Sequence, residues 1–211
     1  MASDAVFWSK AARKYAASAI ADPKAYAYTL ELTKEALKPT DRVLELGCGT
    51  GSTAVELAPL VADYLATDFA KGMIEIAAER QAEADIHNLT CAVATPAQAA
   101  TKGPFDVVLA LNLLHLVDDI EGALADVVQA TQSGGLFISK TVTKPAGRLP
   151  LKIKLILAVL PLAQWLGKAP FVRFDDAATL EARLTQAGFE ILQSHIDDGP
   201  LARHYVIARR L

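Results

Sequence analysis

The sequence predicts an α/β fold: a seven-stranded, mostly parallel sheet with helices on both faces and an antiparallel last strand. Short apolar runs alternate with segments of helical periodicity, which is typical of parallel strands joined by helices. The last two runs are joined through Asp197-Asp198-Gly199-Pro200, which is too short for a helical crossover, so we expect antiparallel pairing there. The strands are predicted near 42–46, 63–67, 89–93, 105–111, 135–141, 189–196 and 203–210, and the helices near 52–60, 71–84, 119–131 and 176–187.

The composition is that of one domain covering residues 1–211. The chain is 52% hydrophobic and 21% charged, which suits a single large core. Its two cysteines, Cys48 and Cys91, give neither metal-ligand spacing nor a disulfide framework, and small buried residues are the simpler interpretation. Residues 1–20 contain four charged side chains and no apolar stretch, so we expect no signal peptide and a cytoplasmic location.

Charge is unevenly distributed along the chain. The net charge of −3 argues against a nucleic-acid partner, because such proteins usually present a concentrated basic surface. Residues 140–174 nevertheless carry +7 with no acidic residue, which leaves −10 for the rest. Within them, 149–162 is almost entirely apolar between its lysines but too short to span a bilayer. A buried substrate cap, a homodimer contact and, as the less favoured alternative, membrane-surface contact through 148–168 are the interpretations.

A glycine-rich turn follows the first predicted strand. Residues 43–46 are three apolar residues around one acid, and Gly47, Gly49 and Gly51 then precede a helix whose first turn Ser52 can cap. Such a strand, turn and helix N-terminus form a nucleotide-binding corner, because glycine lets the backbone approach a ligand and the free N–H groups face it. A dinucleotide fingerprint would require glycine at position 52, where this chain has serine.

Two further blocks follow along the chain. The second strand ends in Asp68, and an acid at this point can accept hydrogen bonds from both hydroxyls of a ribose. A helix N-cap is the alternative role for Asp68, and the two are compatible. Residues 104–116 form an apolar run typical of a buried parallel strand that opens into a loop at Asn112.

Four sequence blocks occur in the order typical of one enzyme family. Over roughly residues 40–141, they resemble the class I S-adenosylmethionine-dependent methyltransferases of the small-molecule type. The resemblance implies a Rossmann-like domain, S-adenosyl-L-methionine as cofactor, an N-terminal helical lid over 1–38 and a substrate-cap insert over 142–174. The blocks are Glu45-x-Gly47-x-Gly49-x-Gly51, Asp68, the 104–116 run and Gly134-Gly135.

The resemblance also implies roles for single residues. The glycine turn would wrap the amino-acid end of the cofactor, Asp68 would bind the ribose, and Tyr15 would fold over the cofactor. One departure is Ala94, where the family often has an Asp facing the adenine amino group; a backbone carbonyl or the Thr95 hydroxyl could substitute. The expected cofactor-binding residues are Tyr15, Glu45, Gly47, Cys48, Gly49, Gly51, Asp68, Phe69, Met73, Thr95, Asn112 and Leu113.

We therefore expect a methyltransferase acting on a small, apolar or aromatic acceptor. Methyl transfer from a sulfonium is an in-line displacement that mainly requires alignment and no metal. A hydroxyl acceptor also requires a base, for which His115 is the candidate, although a packing role is the alternative. Two other functions stay open: a non-catalytic S-adenosylmethionine-binding regulatory protein, and an NAD(P)-dependent oxidoreductase. Ser52 and the lack of a Tyr-x-x-x-Lys pair near the fifth strand count against the oxidoreductase.

Overall fold

The computed structural model describes residues 2–144, 155, 159–160, 162–164, 169–197 and 202–211. The described helices are α1 (Ala2–Ala16), α2 (Pro23–Ala36), α3 (Ser52–Leu57), α4 (Lys71–Glu83), α5 (Pro96–Ala100), α6 (Ile120–Ala130) and α7 (Ala177–Gln186), with 3₁₀ turns at Ala58–Leu60 and Leu114–Leu116. The strands are β1 (Arg42–Leu46), β2 (Asp63–Asp68), β3 (Leu89–Val93), β4 (Phe105–Leu111), β5 (Thr131–Thr143), β6 (Phe189–Ile196) and β7 (Ala202–Arg210).

All seven strands form one sheet in the order β3-β2-β1-β4-β5-β7-β6. The central strand β1 pairs in parallel with β2 and β4, and β4 pairs in parallel with β5. The last strand, β7, runs antiparallel to both of its neighbours, β5 and β6. The predicted fold class is therefore confirmed, including the antiparallel final strand.

Two elements differ from the sequence expectation. Helix α5 was not predicted, because five residues are too few to show helical periodicity; its start is fixed by Thr95, whose hydroxyl accepts the Gln98 N–H at 3.3 Å. Strand β5 begins at Thr131, directly after α6, rather than near 135. The β5 difference lies at an element end, where local sequence patterns carry the least information.

Helices cover both faces of the sheet. Leu44 and Leu46 of β1 pack into a buried cluster with side chains of α5, α6 and α7. Val43 points to the other face and packs with Ala54 and Leu57 of α3. Successive strand residues point to opposite faces, so burial on both sides gives β1 the nearly continuous apolar run seen in its sequence.

Helix α1 lies against α4. A Cβ at Gly72 would stand 2.5 Å from the Ser9 carbonyl oxygen, so glycine is what allows the two backbones to approach. The Gly72 N–H donates to Ser9 Oγ at 3.2 Å, and the Arg13 guanidinium donates two hydrogen bonds to the Glu79 carboxylate at 2.7 and 2.8 Å. The Trp8 side chain packs on a buried cluster that α1 and α4 share.

The predicted insert over 142–174 is described mainly at its ends. The Lys144 N–H donates to the Asp175 carbonyl at 3.0 Å, and the Arg173 N–H donates to the His115 carbonyl at 2.6 Å. Most of 148–168, the segment for which membrane contact was considered, lies outside the described residues. Within the part of the chain that is described, every helix is too short or too polar to cross a bilayer.

Replacing Gly72 by alanine tests the α1–α4 contact. In an exposed helix this exchange stabilises by up to about 1 kcal/mol. Here the added methyl group meets the Ser9 carbonyl, so we expect the free energy of unfolding in urea to fall by about 1–3 kcal/mol. Glu75→Ala, at an exposed position of α4, is the control and should change it by less than about 0.5 kcal/mol. A Gly72→Ala variant as stable as wild type would contradict the contact.

Candidate active site

The loops at the carboxyl ends of the parallel strands surround a cavity of about 1040 Å³. This is the position at which open α/β sheets bind ligands. Helix α1, the segment 18–22 and residues 170–171 also contribute to its lining. The cavity brings together these residues that the sequence singled out: Tyr15, Glu45, Gly47, Cys48, Gly49, Asp68, Phe69, Met73, Thr95, Asn112 and Leu113.

The glycine turn is shaped by three residues in the left-handed region. Gly47, Gly49 and Gly51 have φ values of 67°, 56° and 73°, which side chains rarely tolerate. A Cβ would stand 2.7 Å from Leu113 Cδ1 at Gly47 and 2.8 Å from Ala77 Cβ at Gly51. At Gly49 it would meet no described atom within 4 Å, so here the bare backbone faces the cavity. Gly51 does not line the cavity, and its contact with Ala77 packs α3 against α4.

Asp68 links the end of β2 to the glycine turn. Its carboxylate accepts the Gly49 N–H at 3.1 Å through Oδ2 and the Ala70 N–H at 2.8 Å through Oδ1. Burial raises the pKa of Asp68, and the two N–H donors oppose that rise. The N-cap position of α4 is Ala70, so Asp68 precedes the cap and holds the turn rather than starting the helix.

Glu45 is buried beneath the same turn with only 2% of its surface exposed. The Tyr64 hydroxyl donates to Glu45 Oε2 at 2.9 Å. Burial raises the pKa of Glu45 to about 7, the Tyr64 hydrogen bond lowers it in part, and the charge of Asp68 raises it further. A buried carboxyl of this kind carries a proton over much of the acidic range.

The other predicted residues line different walls of the cavity. Phe69 and Met73 follow β2, while the Thr95 hydroxyl is occupied as the cap of α5. Asn112 adopts a left-handed φ of 62°, and its N–H donates to the Lys140 carbonyl at 2.6 Å. Tyr15, on α1, is 54% exposed and makes an edge-to-face contact with Trp8 at 6.2 Å between ring centroids.

The part of the chain that builds this site matches a known family. Residues 44–137 match the family model described as a methyltransferase domain. This segment is therefore similar to methyltransferase domains. The sequence resemblance to methyltransferases is confirmed over these residues, and solved structures confirm the Rossmann-like fold.

Similar proteins agree with the domain assignment. The chain is 32% identical over 153 residues to a ubiquinone biosynthesis O-methyltransferase of Azorhizobium caulinodans, covering 71% of this chain but only 59% of that protein. The chain also resembles magnesium protoporphyrin IX methyltransferase of Synechocystis PCC 6803 with bound SAH, at TM-score 0.70, 18% identity and 94% and 92% coverage. A DhpI–SAH complex matches at TM-score 0.70, 21% identity and 99% and 95% coverage. The identities of these two structures are low, so they establish the fold.

His115 does not lie where a base for this cavity is needed. Leu113 and Leu116 line the large cavity, whereas His115 lines a separate small one beside Thr141 and Asp175. The cause is the 3₁₀ turn, in which residues three apart share a side and the two residues between them, Leu114 and His115, point elsewhere. Burial lowers the pKa of His115 to about 4. The geometry therefore favours the packing role over the general-base role.

The sequence reasoning missed three cavity-lining cations, Arg80, Lys140 and Arg203. Lys140 lies on β5 and Arg203 near the start of β7. A signal for Lys140 was available, since a single charged residue interrupts an otherwise apolar or small-residue strand. Arg203 lies in a strand whose alternation gives no such signal.

Glu45→Gln tests the protonation of the buried carboxyl. Between the unfolded pKa near 4.5 and the folded value of about 7, the folded protein keeps a proton that the unfolded chain has lost, so stability falls as pH rises through this window. The variant cannot ionise, and its stability relative to wild type should rise by up to about 3 kcal/mol between about pH 5 and about pH 8. Urea unfolding measures this. Glu56→Gln, at an exposed site, should show no such gain. A stability difference between Glu45→Gln and wild type that does not change with pH would refute the assignment.

Proposed function

We propose that this chain transfers a methyl group from S-adenosyl-L-methionine to a small apolar or aromatic acceptor. The observation that carries the proposal lies at the carboxyl ends of the neighbouring strands β1 and β2. There the exposed backbone of Gly49 and the Asp68 carboxylate face one cavity, with Gly49 N 3.1 Å from Asp68 Oδ2. The chain spans about three fifths of the length of the O-methyltransferase it matches, and that relative's printed activity supports the proposal.

The residues present fit an adenosyl cofactor. Because a side chain on Gly49 would project into open cavity, the bare backbone leaves room for a ligand to approach the main chain. Asp68 offers carboxylate oxygens to ribose hydroxyls, and Phe69 and Met73 offer apolar surface to adenine. When bound, the cofactor supplies an electrophilic methyl group on a sulfonium. The other residues proposed to hold it are Tyr15, Glu45, Gly47, Cys48, Thr95, Asn112 and Leu113, with Gly51 supporting the turn.

The chain contributes alignment and exclusion of water. Apolar side chains of Leu111, Leu116, Val117 and Phe171 line the cavity and suit an apolar or aromatic acceptor. Holding two reactants in line can contribute about 7–11 kcal/mol to a rate. We propose that the helices in 1–38 act as a lid and that the insert 142–174 caps the acceptor, since Tyr15 and Phe171 contact the cavity from these segments. We also propose that the protein is cytoplasmic, that it has no nucleic-acid partner and that it forms a homodimer contact.

Isothermal titration calorimetry with S-adenosylmethionine, S-adenosylhomocysteine and NADH tests the proposal. We expect both adenosyl compounds to bind and NADH not to bind. Formation of S-adenosylhomocysteine is then followed with a panel of small phenols. Binding without any transfer would favour the non-catalytic regulatory protein, and binding of NADH alone would favour the oxidoreductase.

Asp68→Ala tests the proposed ribose contact. The variant loses charge-assisted hydrogen bonds, so the affinity for S-adenosylhomocysteine should weaken by about 1.5–3 kcal/mol. Asp63→Ala is the matched control, because Asp63 lies at the opposite end of β2 in an exposed pair with Arg42 at 3.8 Å. Calorimetry at a temperature well below unfolding measures both affinities. An Asp68→Ala affinity equal to that of wild type would remove Asp68 from the site.

A further inference from the structure

The large cavity extends past the part that the proposed cofactor residues line. The sheet order places β5 beside β4 and β7 beside β5, on the side away from β2 and Asp68. Lys140 of β5, which pairs with Leu111, and Arg203 of β7 line the cavity from strands on that side of the sheet, and Tyr26 and Phe171 line the same cavity. This region is therefore the space available to the methyl acceptor.

The two cations of this region differ in their partners. Arg203 Nη1 lies 3.4 Å from Asp197 Oδ2 and 3.6 Å from Asp22 Oδ2, so its charge is compensated. Lys140 is only 6% exposed, and its Nζ donates to Thr29 Oγ1 at 2.8 Å and to the Ala25 carbonyl at 3.3 Å. Both of these acceptors are neutral. Of an ammonium's three donors, one is therefore left for a ligand.

Lys140 thus brings a positive charge into a buried place, and the carboxylates that attract it, Asp22 and Asp197, pair with Arg203 instead. Among the described residues, no carboxylate oxygen lies within the 4.0 Å of an ion pair with Lys140 Nζ, whereas Arg203 has two. An uncompensated buried charge is costly, and an anionic ligand atom would compensate it. Leu111, Leu116 and Phe171 line the same cavity and suit a ligand that is otherwise apolar.

We propose that Lys140 binds the methyl acceptor through an acidic hydroxyl and holds that oxygen as its anion, so that the acceptor class is a phenol or enol. This inference rests on the proposed methyl transfer. A lysine is a point charge and suits one oxygen, whereas a carboxylate is better matched by the fork of an arginine, which here is already paired.

The protonation of Lys140 is compatible with this role. Burial lowers the pKa of Lys140 and the charge of Arg203 lowers it further, while Asp197 and Asp22 act in the opposite direction. An acceptor that arrives as its anion pairs with the ammonium form directly. An acceptor that arrives as its hydroxyl gives its proton to the amine form: the O–H bond breaks, an N–H bond forms, and the ammonium then faces the oxyanion. The lysine and phenol groups have similar ordinary pKa values near 10, so small environmental shifts decide the direction of this transfer.

Two other roles for Lys140 lead to different measurements. Lys140 could tie α2 to the sheet through Thr29, in which case removing the Thr29 hydroxyl should have the same effect as removing the lysine. Alternatively, it could bind the carboxylate of the cofactor, in which case its removal should weaken cofactor affinity. Variants of Lys140 and Thr29 separate these roles from acceptor binding.

The experiment is a titration of the protein with 4-nitrophenol, whose absorption spectrum distinguishes phenol from phenolate, with and without saturating S-adenosylhomocysteine. We expect wild type to bind the probe as phenolate and to lower its apparent pKa. Lys140→Met should bind the phenolate about 10- to 100-fold more weakly, as expected for the loss of one charge-assisted hydrogen bond. Lys140→Arg should restore part of that affinity, and Thr29→Val should resemble wild type.

Several results would overturn the inference. These are no phenolate binding by wild type, a Lys140→Met variant equal to wild type, a Thr29→Val variant as impaired as Lys140→Met, and a Lys140→Met loss of S-adenosylhomocysteine affinity as large as the loss of probe affinity. Thermal unfolding of each variant checks that it is folded at the titration temperature. Phenolate binding through Lys140 without any binding of S-adenosylhomocysteine would uphold the anion site and reject the methyltransferase proposal.

Discussion

The site depends on the close packing of the glycine turn, residues 47–51, against the residues behind it. Leu113 and Ala77 occupy the space where side chains on Gly47 and Gly51 would project, so the turn is fixed from behind. Asp68 fixes it from the side by accepting the Gly49 N–H. The result is one stretch of bare main chain, at Gly49, that faces a large cavity while its surroundings are packed.

Charge is arranged around this turn in two separate groups. Glu45 and Asp68 lie beneath and beside the turn, where burial raises the pKa of both carboxyls. Lys140 lies beyond β4, where burial lowers the pKa of the amine. Acids near the proposed nucleoside and a base near the proposed acceptor give the two parts of the cavity different chemistry. A methyl-transfer site needs this difference when the acceptor must lose a proton.

The sequence was sufficient for the sheet, and eleven of the twelve residues that it proposed for the cofactor line the cavity. Strand periodicity gave all seven strands, and the short 197–200 connection gave the antiparallel one. Glycine spacing located the turn, because glycine is the residue that adopts left-handed φ values most readily. Patterns of this kind report backbone conformation and burial.

Those patterns do not predict the direction of a side chain or its contacts with residues distant in the sequence. His115 follows β4 as expected, yet a single 3₁₀ turn directs its side chain away from the cavity. Gly51 belongs to the glycine motif but serves helix packing through Ala77, which is 26 positions away in the chain. The significance of Lys140 depends on Thr29 and Arg203, which only the tertiary structure brings near it.

A crystal structure of the chain with S-adenosylhomocysteine tests the central claim most directly. The account predicts the nucleoside ribose against the Asp68 carboxylate, the amino-acid end of the ligand against the backbone at Gly49, and the sulfur directed toward the part of the cavity that Lys140 lines. A ligand bound elsewhere, or oriented with its sulfur away from Lys140, would contradict it.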